Sequence, residues 1–382
     1  IGRGVLIKGA AGASTHERLP DPPIRGQPST PGNNPRSQPV PTPVDGQGRS
    51  NRSDSWAMAG GGDRPANGGS VLMRNGENAG TAAGVSFVVP VYNKASALPP
   101  VLDAIAAQTG DFEREFIFID DGSTDGSLDL IRDRTSGWQD VVIRAQANHG
   151  SAHATNQGIA LAGREYIKFV DADDLLPRNA TRILLDAIAG TDACLAYGDL
   201  VRYSEGATVS LDRSTPAAPD VTTLYLPLRA VLRTSLFNPS QILVRGHCAK
   251  QVGGCDERVV FSQEYSLALR LARLWPFRRV NAVVAYQSEP AGEADRLSGD
   301  PGQQLQRVTL AAAHFLRDYP TVPPALQRFA LRRAAGRAYK WRRRSGTGAL
   351  LPWLWLSLRG RLPVPTDYVG AIERCAAAFD AP

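Results

Sequence analysis

The chain has 382 residues, 42% of them hydrophobic, and carries 43 Lys and Arg against 37 Asp and Glu, a formal net charge of +6. That is apolar material for one large or two medium domains, yet no window approaches the roughly 18 to 20 apolar residues of a membrane-spanning helix, which points to a soluble or peripheral protein. Four cysteines, Cys194, Cys248, Cys255 and Cys375, lack the CxxC pairing or His spacing of a zinc site and fit a reducing, cytoplasmic compartment.

Residues 1–84 contain ten Pro, sixteen Gly and one aromatic residue, Trp56. With no sustained period of 2 or 3.6, little burial offsets their ordering entropy, and the segment is predicted to be a disordered tail. The chain opens with Ile, and both of its methionines, Met58 and Met73, fall inside this tail. Truncation, processing or a misassigned start each account for that, and GVLIKGAAGA (4–13) is too short and interrupted for a signal peptide.

From residue 85 strand and helix patterns alternate. VSFVVPV (85–91) reads as a buried strand, 97–108 as a helix, EFIFID (115–120) as a strand, 125–134 as a helix, VVIRA (141–145) as a strand, 152–162 as a helix and YIKFV (166–170) as a strand. Alternation of this kind predicts an α/β fold with a mostly parallel sheet flanked by helices on both faces. After 175 the pattern loosens: a helix near 178–189, strands near 194–203 and 240–245, a helix near 263–274, a strand at 283–288, and a helical region over about 301–378. The predicted organisation is a tail (1–84), a sheet domain (85–290) and a C-terminal helical region (291–382).

Ligands of such sheets bind at the carboxyl ends of the strands, and the polar punctuation falls there. Tyr92 and Asn93 follow the first strand, Asp120 to Ser123 the second, Asn148 to Gly150 the third and Asp171 to Asp174 the fourth. Three carboxylates, Asp171, Asp173 and Asp174, crowd one strand end and repel one another unless a cation sits among them. Oxygen ligands suit Mg²⁺ or Mn²⁺, whose shell is completed by substrate phosphates. Asp, Ser and Thr also cap helices, so DDGSTDGS (120–127) taken alone is equally an N-cap; its pairing with DADD weakens that reading. His149 and His153 sit at the entry to a Gly- and Ala-rich helix that would favour phosphate, although isolated histidines are more often satisfied surface or core groups.

The motifs VSFVVPVYNK, FIFIDDGSTDGS, NHGSAHATNQGIALAGREYIKFVDADDLLP and VGGCDERVVFSQEYSLALRLA, in that order, resemble the family 2 glycosyltransferases of the GT-A (Rossmann-like) fold over about residues 85–275. The resemblance implies a divalent-metal-dependent, inverting, hexosyltransferase-like enzyme that moves a sugar from a nucleotide-sugar donor, most readily a UDP-sugar, to a hydroxyl of a glycan or lipid-linked acceptor in envelope or exopolysaccharide assembly. By position, Pro90, Tyr92 and Asn93 line the nucleotide pocket, Asp121 hydrogen-bonds the base, Asn156 lies near the donor, Asp171 faces the ribose and donor, and Asp173 holds the metal with Asp174 in support. The family's usual Glu-Asp pair is replaced by Gln263-Glu264, which makes Glu264 the candidate base; as a bland alternative it opens a helix where acids are favoured.

The departure at Gln263-Glu264 also keeps open a catalytically weak or inactive nucleotide-sugar or membrane-binding module. The QxxRW element of processive members is missing, since RLARLW (270–275) lacks the pattern, and single addition is expected. Residues 328–344 carry eight Lys or Arg and no acid, followed by the Trp-rich LLPWLWLSLRGRLP (350–363). This suits peripheral contact with an anionic membrane, or a packed helix with a solvated cationic face; no nucleic-acid module is recognisable.

Overall fold

The computed structural model describes residues 83–204, 209–212, 219–259, 262–289, 300–346 and 348–379. The expected disordered tail lies outside these residues except for Ala83 and Gly84, which open the first strand.

Strands β1 (Ala83–Val91), β2 (Phe112–Asp120), β3 (Val141–Ala145) and β4 (Tyr166–Phe169) alternate with helices α1 (Leu98–Ala106), α2 (Ser127–Arg134) and α3 (Ser151–Leu161). The four strands are parallel in the order β3-β2-β1-β4. Register places Val91 opposite Asp120 and Asp120 opposite Ala145. Three strands therefore end in one row, and the polar loops that follow them leave the sheet side by side.

Past β4 the sheet becomes mixed. The chain continues through β5 (Asp174–Leu175), α4 (Ala180–Ile188), β6 (Leu195–Ser204), β7 (Val221–Leu224), α5 (Leu228–Arg233), β8 (Ile242–Arg245), α6 (Gly246–Gln251), α7 (Gln263–Ala272) and β9 (Phe277–Glu289). Strand β8 runs antiparallel between β4 and β6, β9 is parallel to β6, and the far side of β9 takes β7 and β5 antiparallel. The predicted strand at 283–288 is thus the end of a longer one. Strands β5 and β7 and helices α5 and α6, of 2, 4, 6 and 6 residues, were not anticipated, because such short elements carry too few side chains for a period to register.

Both faces of the sheet are covered. Phe87 and Val89 of β1 enter a core with α1, α2 and α4, whereas Val88 enters a second core with α3, α5, α6 and α7, the alternation of a pleated strand. The C-terminal helices α8 (Pro301–Asp318), α9 (Pro324–Ser345), α10 (Leu351–Arg359) and α11 (Tyr368–Ala376) contribute to that second core, on the α7 face. Helix α3 lies directly against β1 at Gly158, where an added Cβ would come 2.2 Å from Val88 Cγ1. That contact sets the height of α3, and with it the first turn that borders the candidate site.

Candidate functional site

The loops after β1 and β2 are laced together by short polar side chains. Asn93, at φ 51, accepts from the Thr124 amide through Oδ1 (2.8 Å), and its own amide donates to Ser123 Oγ (3.0 Å). Left-handed backbone is tolerated by Asn better than by most residues, which explains the residue type at this turn. Tyr92 beside it is 39% exposed, an aromatic face open to a ligand.

Asp121 is buried and ties in the third loop. Its carboxylate accepts from Gln146 Nε2 (2.7 Å), the His149 amide (2.9 Å) and the Gly150 amide (2.8 Å). Three of roughly four acceptor positions are filled from within, leaving Oδ2 room for one more donor. His153 Nδ1 lies 2.9 Å from Gln146 Nε2, and the ring centres of His149 and His153 are 4.8 Å apart with their planes tilted by 46°.

Asn156 is spent on architecture. Its Oδ1 accepts from the Cys255 amide (2.7 Å), and its Nδ2 donates to the Cys255 carbonyl (3.1 Å) and Glu257 Oε1 (2.7 Å). Gly254, at φ +68, lets this loop approach: an added Cβ would sit 2.2 Å from Asn156 Oδ1. The effect is to pin the segment before α7 against α3.

A small pocket, partly open to solvent, lies between β1, α3, the end of β4 and α7. Pro90, Thr155, Asp171, Pro239, Gln263 and Glu264 are among its walls. Of the residues predicted from sequence, the pocket brings together Pro90, Asp171 and Glu264. Tyr92, Asn93, Asp121, Asp173 and Asp174 belong to neighbouring loops, and Asn156 stands behind the wall that Thr155 forms. Gln263 is fixed by a hydrogen bond from Ser151 Oγ to its Oε1 (3.1 Å).

The electrostatics are those of crowded acids. Burial pushes the Glu264 carboxyl up to about 7. Burial first, then the charges of Asp174, Asp173 and Glu264, raise Asp171 well above the carboxylate range. Asp174, 1% exposed, is pushed up to about 7 by burial and by Asp173 against the pull of the nearby Ser240 hydroxyl, and neither of its carboxylate oxygens meets a hydrogen bond of good geometry among the described residues. The DADD segment is thus not wholly a loop: Asp174 begins β5 and pairs with Gln287, which turns its side chain into the interior.

Two amines answer these acids. Lys94 Nζ meets Asp173 Oδ2 at 2.7 Å. Lys168, fully buried in the otherwise apolar β4, is pushed down to about 7 by burial and donates to the Ser240 and Phe169 carbonyls. Ser240 in turn accepts the Asp171 amide through Oγ (2.9 Å), so Lys168 and Ser240 together hold the Asp171 turn. Neither lysine was singled out from sequence, although a lone Lys within YIKFV is a detectable signal. Ser240 gave none.

Among the described residues no group of three or more His, Cys, Asp or Glu side chains forms a complete metal site. A hard divalent cation asks for less, one or two carboxylates plus phosphate oxygens. The poorly partnered oxygens of Asp174 and the mutual repulsion of Asp171, Asp173 and Asp174 fit such an ion. No described helix is long and apolar enough to cross a membrane.

The chain resembles known proteins in sequence and in fold. The sequence model described as glycosyl transferase family 2 matches residues 86–244. Glycosyltransferase GlyG of Streptococcus pneumoniae is 35% identical over 122 residues, covering 32% of this chain and 40% of that protein. A PGL/p-HBAD biosynthesis glycosyltransferase of Mycobacterium tuberculosis is 35% identical over 136 residues, covering 34% and 52%. The chain therefore spans about half the length of the curated relatives it matches. Staphylococcus aureus TarS 1–349 in complex with UDP superposes with a TM-score of 0.53 at 17% identity, covering 78% of this chain and 88% of that one, a likeness of fold.

Proposed function

We propose that this chain is an inverting glycosyltransferase of family 2 using a nucleotide-sugar donor, a reading supported by the family match over residues 86–244 and by a fold like that of TarS. The observation that carries the reading is a pocket at the carboxyl ends of the strands that Glu264 and Asp171 both line. One relative is named for PGL/p-HBAD biosynthesis and a fold neighbour was solved with UDP; in this reading the donor is a UDP-sugar and the acceptor a hydroxyl of a glycan or lipid-linked saccharide.

In this reading Tyr92 offers its exposed ring to the base, Asn93 and Pro90 shape the nucleotide wall, and Asp121 takes one further donor at Oδ2 from the base. Asp171 faces the ribose. Asn156 serves the donor indirectly, by holding the wall that Thr155 lines. Asp173, with Asp174 beneath it, would hold Mg²⁺ or Mn²⁺; such an ion supplies charge stabilisation for the departing diphosphate.

Glu264 accepts the proton of the acceptor hydroxyl as its oxygen bonds to the anomeric carbon and the bond to the diphosphate oxygen breaks. A carboxyl near 7 is matched to that task at neutral pH, since a base is most effective when its affinity for protons lies close to the ambient pH. This reading assigns the protein to the cytoplasm, where nucleotide sugars are made, and gives it peripheral contact with an anionic membrane surface for a lipid-linked acceptor.

The test is a panel of UDP-, GDP- and dTDP-sugars, with Mn²⁺, Mg²⁺ or EDTA, on the wild type and Asp173→Ala. Metal-dependent binding of one donor with slow release of its nucleoside diphosphate, lost in Asp173→Ala, is the expected result. Binding of no donor under any condition overturns the reading. Metal-dependent binding with no turnover on any saccharide acceptor would instead support the inactive module, which the replacement of the usual acid by Gln263 favours.

A further inference from the structure

Helix α10 presents an apolar stripe to solvent. Leu351, Leu354, Trp355 and Leu358 fall at positions i, i+3, i+4 and i+7 and are 76, 44, 55 and 47% exposed. The opposite side of the same helix is accounted for, because Leu356 is buried and Trp353 packs on the core. Leu362 and Val364, just beyond the helix, extend the exposed apolar surface.

The chain on either side of the stripe is cationic. From residue 319 to 366 the chain contains ten Lys or Arg and no Asp or Glu. Helix α9 ends at Gly346 (φ +68), and α10 returns along it, so that an added Cβ at Gly360 would lie 3.2 Å from the Arg328 carbonyl oxygen. Cations consequently flank both ends of the stripe: exposed Lys340, Arg343 and Arg344 toward its start, exposed Arg361 toward its end. The Arg359 guanidinium lies 4.9 Å from the centre of the Trp355 ring, which gives that side chain an apolar body and a charged rim.

We propose that the α10 face is a lipid-binding surface that seats on an anionic bilayer. The leucines and Trp355 enter the boundary between headgroups and acyl chains, and the surrounding guanidinium and ammonium groups pair with lipid phosphates. Nine residues make a helix about 14 Å long, enough to lie in the interface and too short to span it. An anionic surface is the occupant that meets both features together: a nucleic acid has no use for the stripe, and a neutral apolar partner has none for the exposed cations at its two ends. The inference rests on the membrane contact named in the function above and not on the sugar chemistry.

Vesicles of phosphatidylcholine, with and without phosphatidylglycerol, provide the test by flotation of the full chain. The wild type should float with the anionic vesicles only. Leu354→Ser together with Trp355→Ser should weaken partitioning by at least about tenfold. Arg343→Glu together with Arg344→Glu should weaken it by roughly 30-fold, an effect that added salt reproduces in the wild type. Circular dichroism and donor turnover should stay unchanged in both variants, because neither α10 nor the end of α9 lines any part of the pocket.

A wild type that ignores anionic vesicles overturns the membrane contact and this face with it, leaving the transferase reading to its own assay. A wild type that floats, with the Leu354 and Trp355 changes making no difference, overturns the face alone. Sedimentation velocity without lipid supplies the remaining outcome: a dimer abolished by Trp355→Ser would show that a second copy covers the stripe.

Discussion

Replacing Glu264 by Gln should abolish transfer and, at the same time, stabilise the protein in alkaline solution. In the unfolded chain this carboxyl titrates near 4.5; in the folded state burial moves it to about 7. Between those values the folded state holds more protons than the unfolded one, so stability falls as pH rises through the window and levels off above it. The displacement corresponds to an upper limit of about 3 kcal/mol at pH 8 and to nothing below pH 4. For a chain of this size that is a gain in melting temperature of roughly 5 °C.

Glu264→Gln has no such titration, and it relieves Asp171 of one repelling charge, which acts in the same direction. The measurement is a pair of melting curves in EDTA at about pH 5 and about pH 8, alongside nucleoside diphosphate release with the preferred donor and metal. The difference in melting temperature between variant and wild type should widen with pH, while transfer falls by about 10² to 10⁴-fold with donor affinity little changed. A difference that stays constant across pH would refute the burial argument. Transfer retained in the variant would remove Glu264 from the role of base.

Two further outcomes test the scaffold. Gly158→Ala should destabilise by about 1–3 kcal/mol in urea unfolding, since its methyl would meet Val88 Cγ1 at 2.2 Å and α3 must rise off β1; a neutral result would mean that the contact yields freely. Asp256, buried in the loop before α7, is disfavoured as an anion by burial, yet hydrogen bonds from His314 and Arg258 hold its carboxyl well below the usual 3.8. Its contribution is therefore present above pH 3.8 and lost as pH falls through the folded value. Asp256→Asn should cost about 2–3 kcal/mol at neutral pH, and the deficit should shrink on acidification below pH 3.8.

The strand and helix order from residue 85 to 170, the crevice at the carboxyl ends of the strands, and the acids that gather there are all local statements. Each is carried by a period within a dozen residues, or by polar residues directly after an apolar run, and none depends on which distant segment packs alongside. The same holds for the apolar and cationic composition of 328–363, although only the fold shows that Leu356 turns inward while Leu354 and Trp355 stay out. What the tertiary structure decided is the set of partners across long separations. Asp171 rests on Ser240, Asn156 locks Cys255, Gln263 is held by Ser151, Lys94 faces Asp173, and Asp174 turns inward because β9 extends far enough to pair with it. No periodicity encodes these contacts, because they follow from the order of strands in the sheet and from the height at which α3 and α7 settle on it. Burial, fixed only once the helices have docked, is what moves Glu264 from an ordinary surface acid to a group that titrates near neutrality.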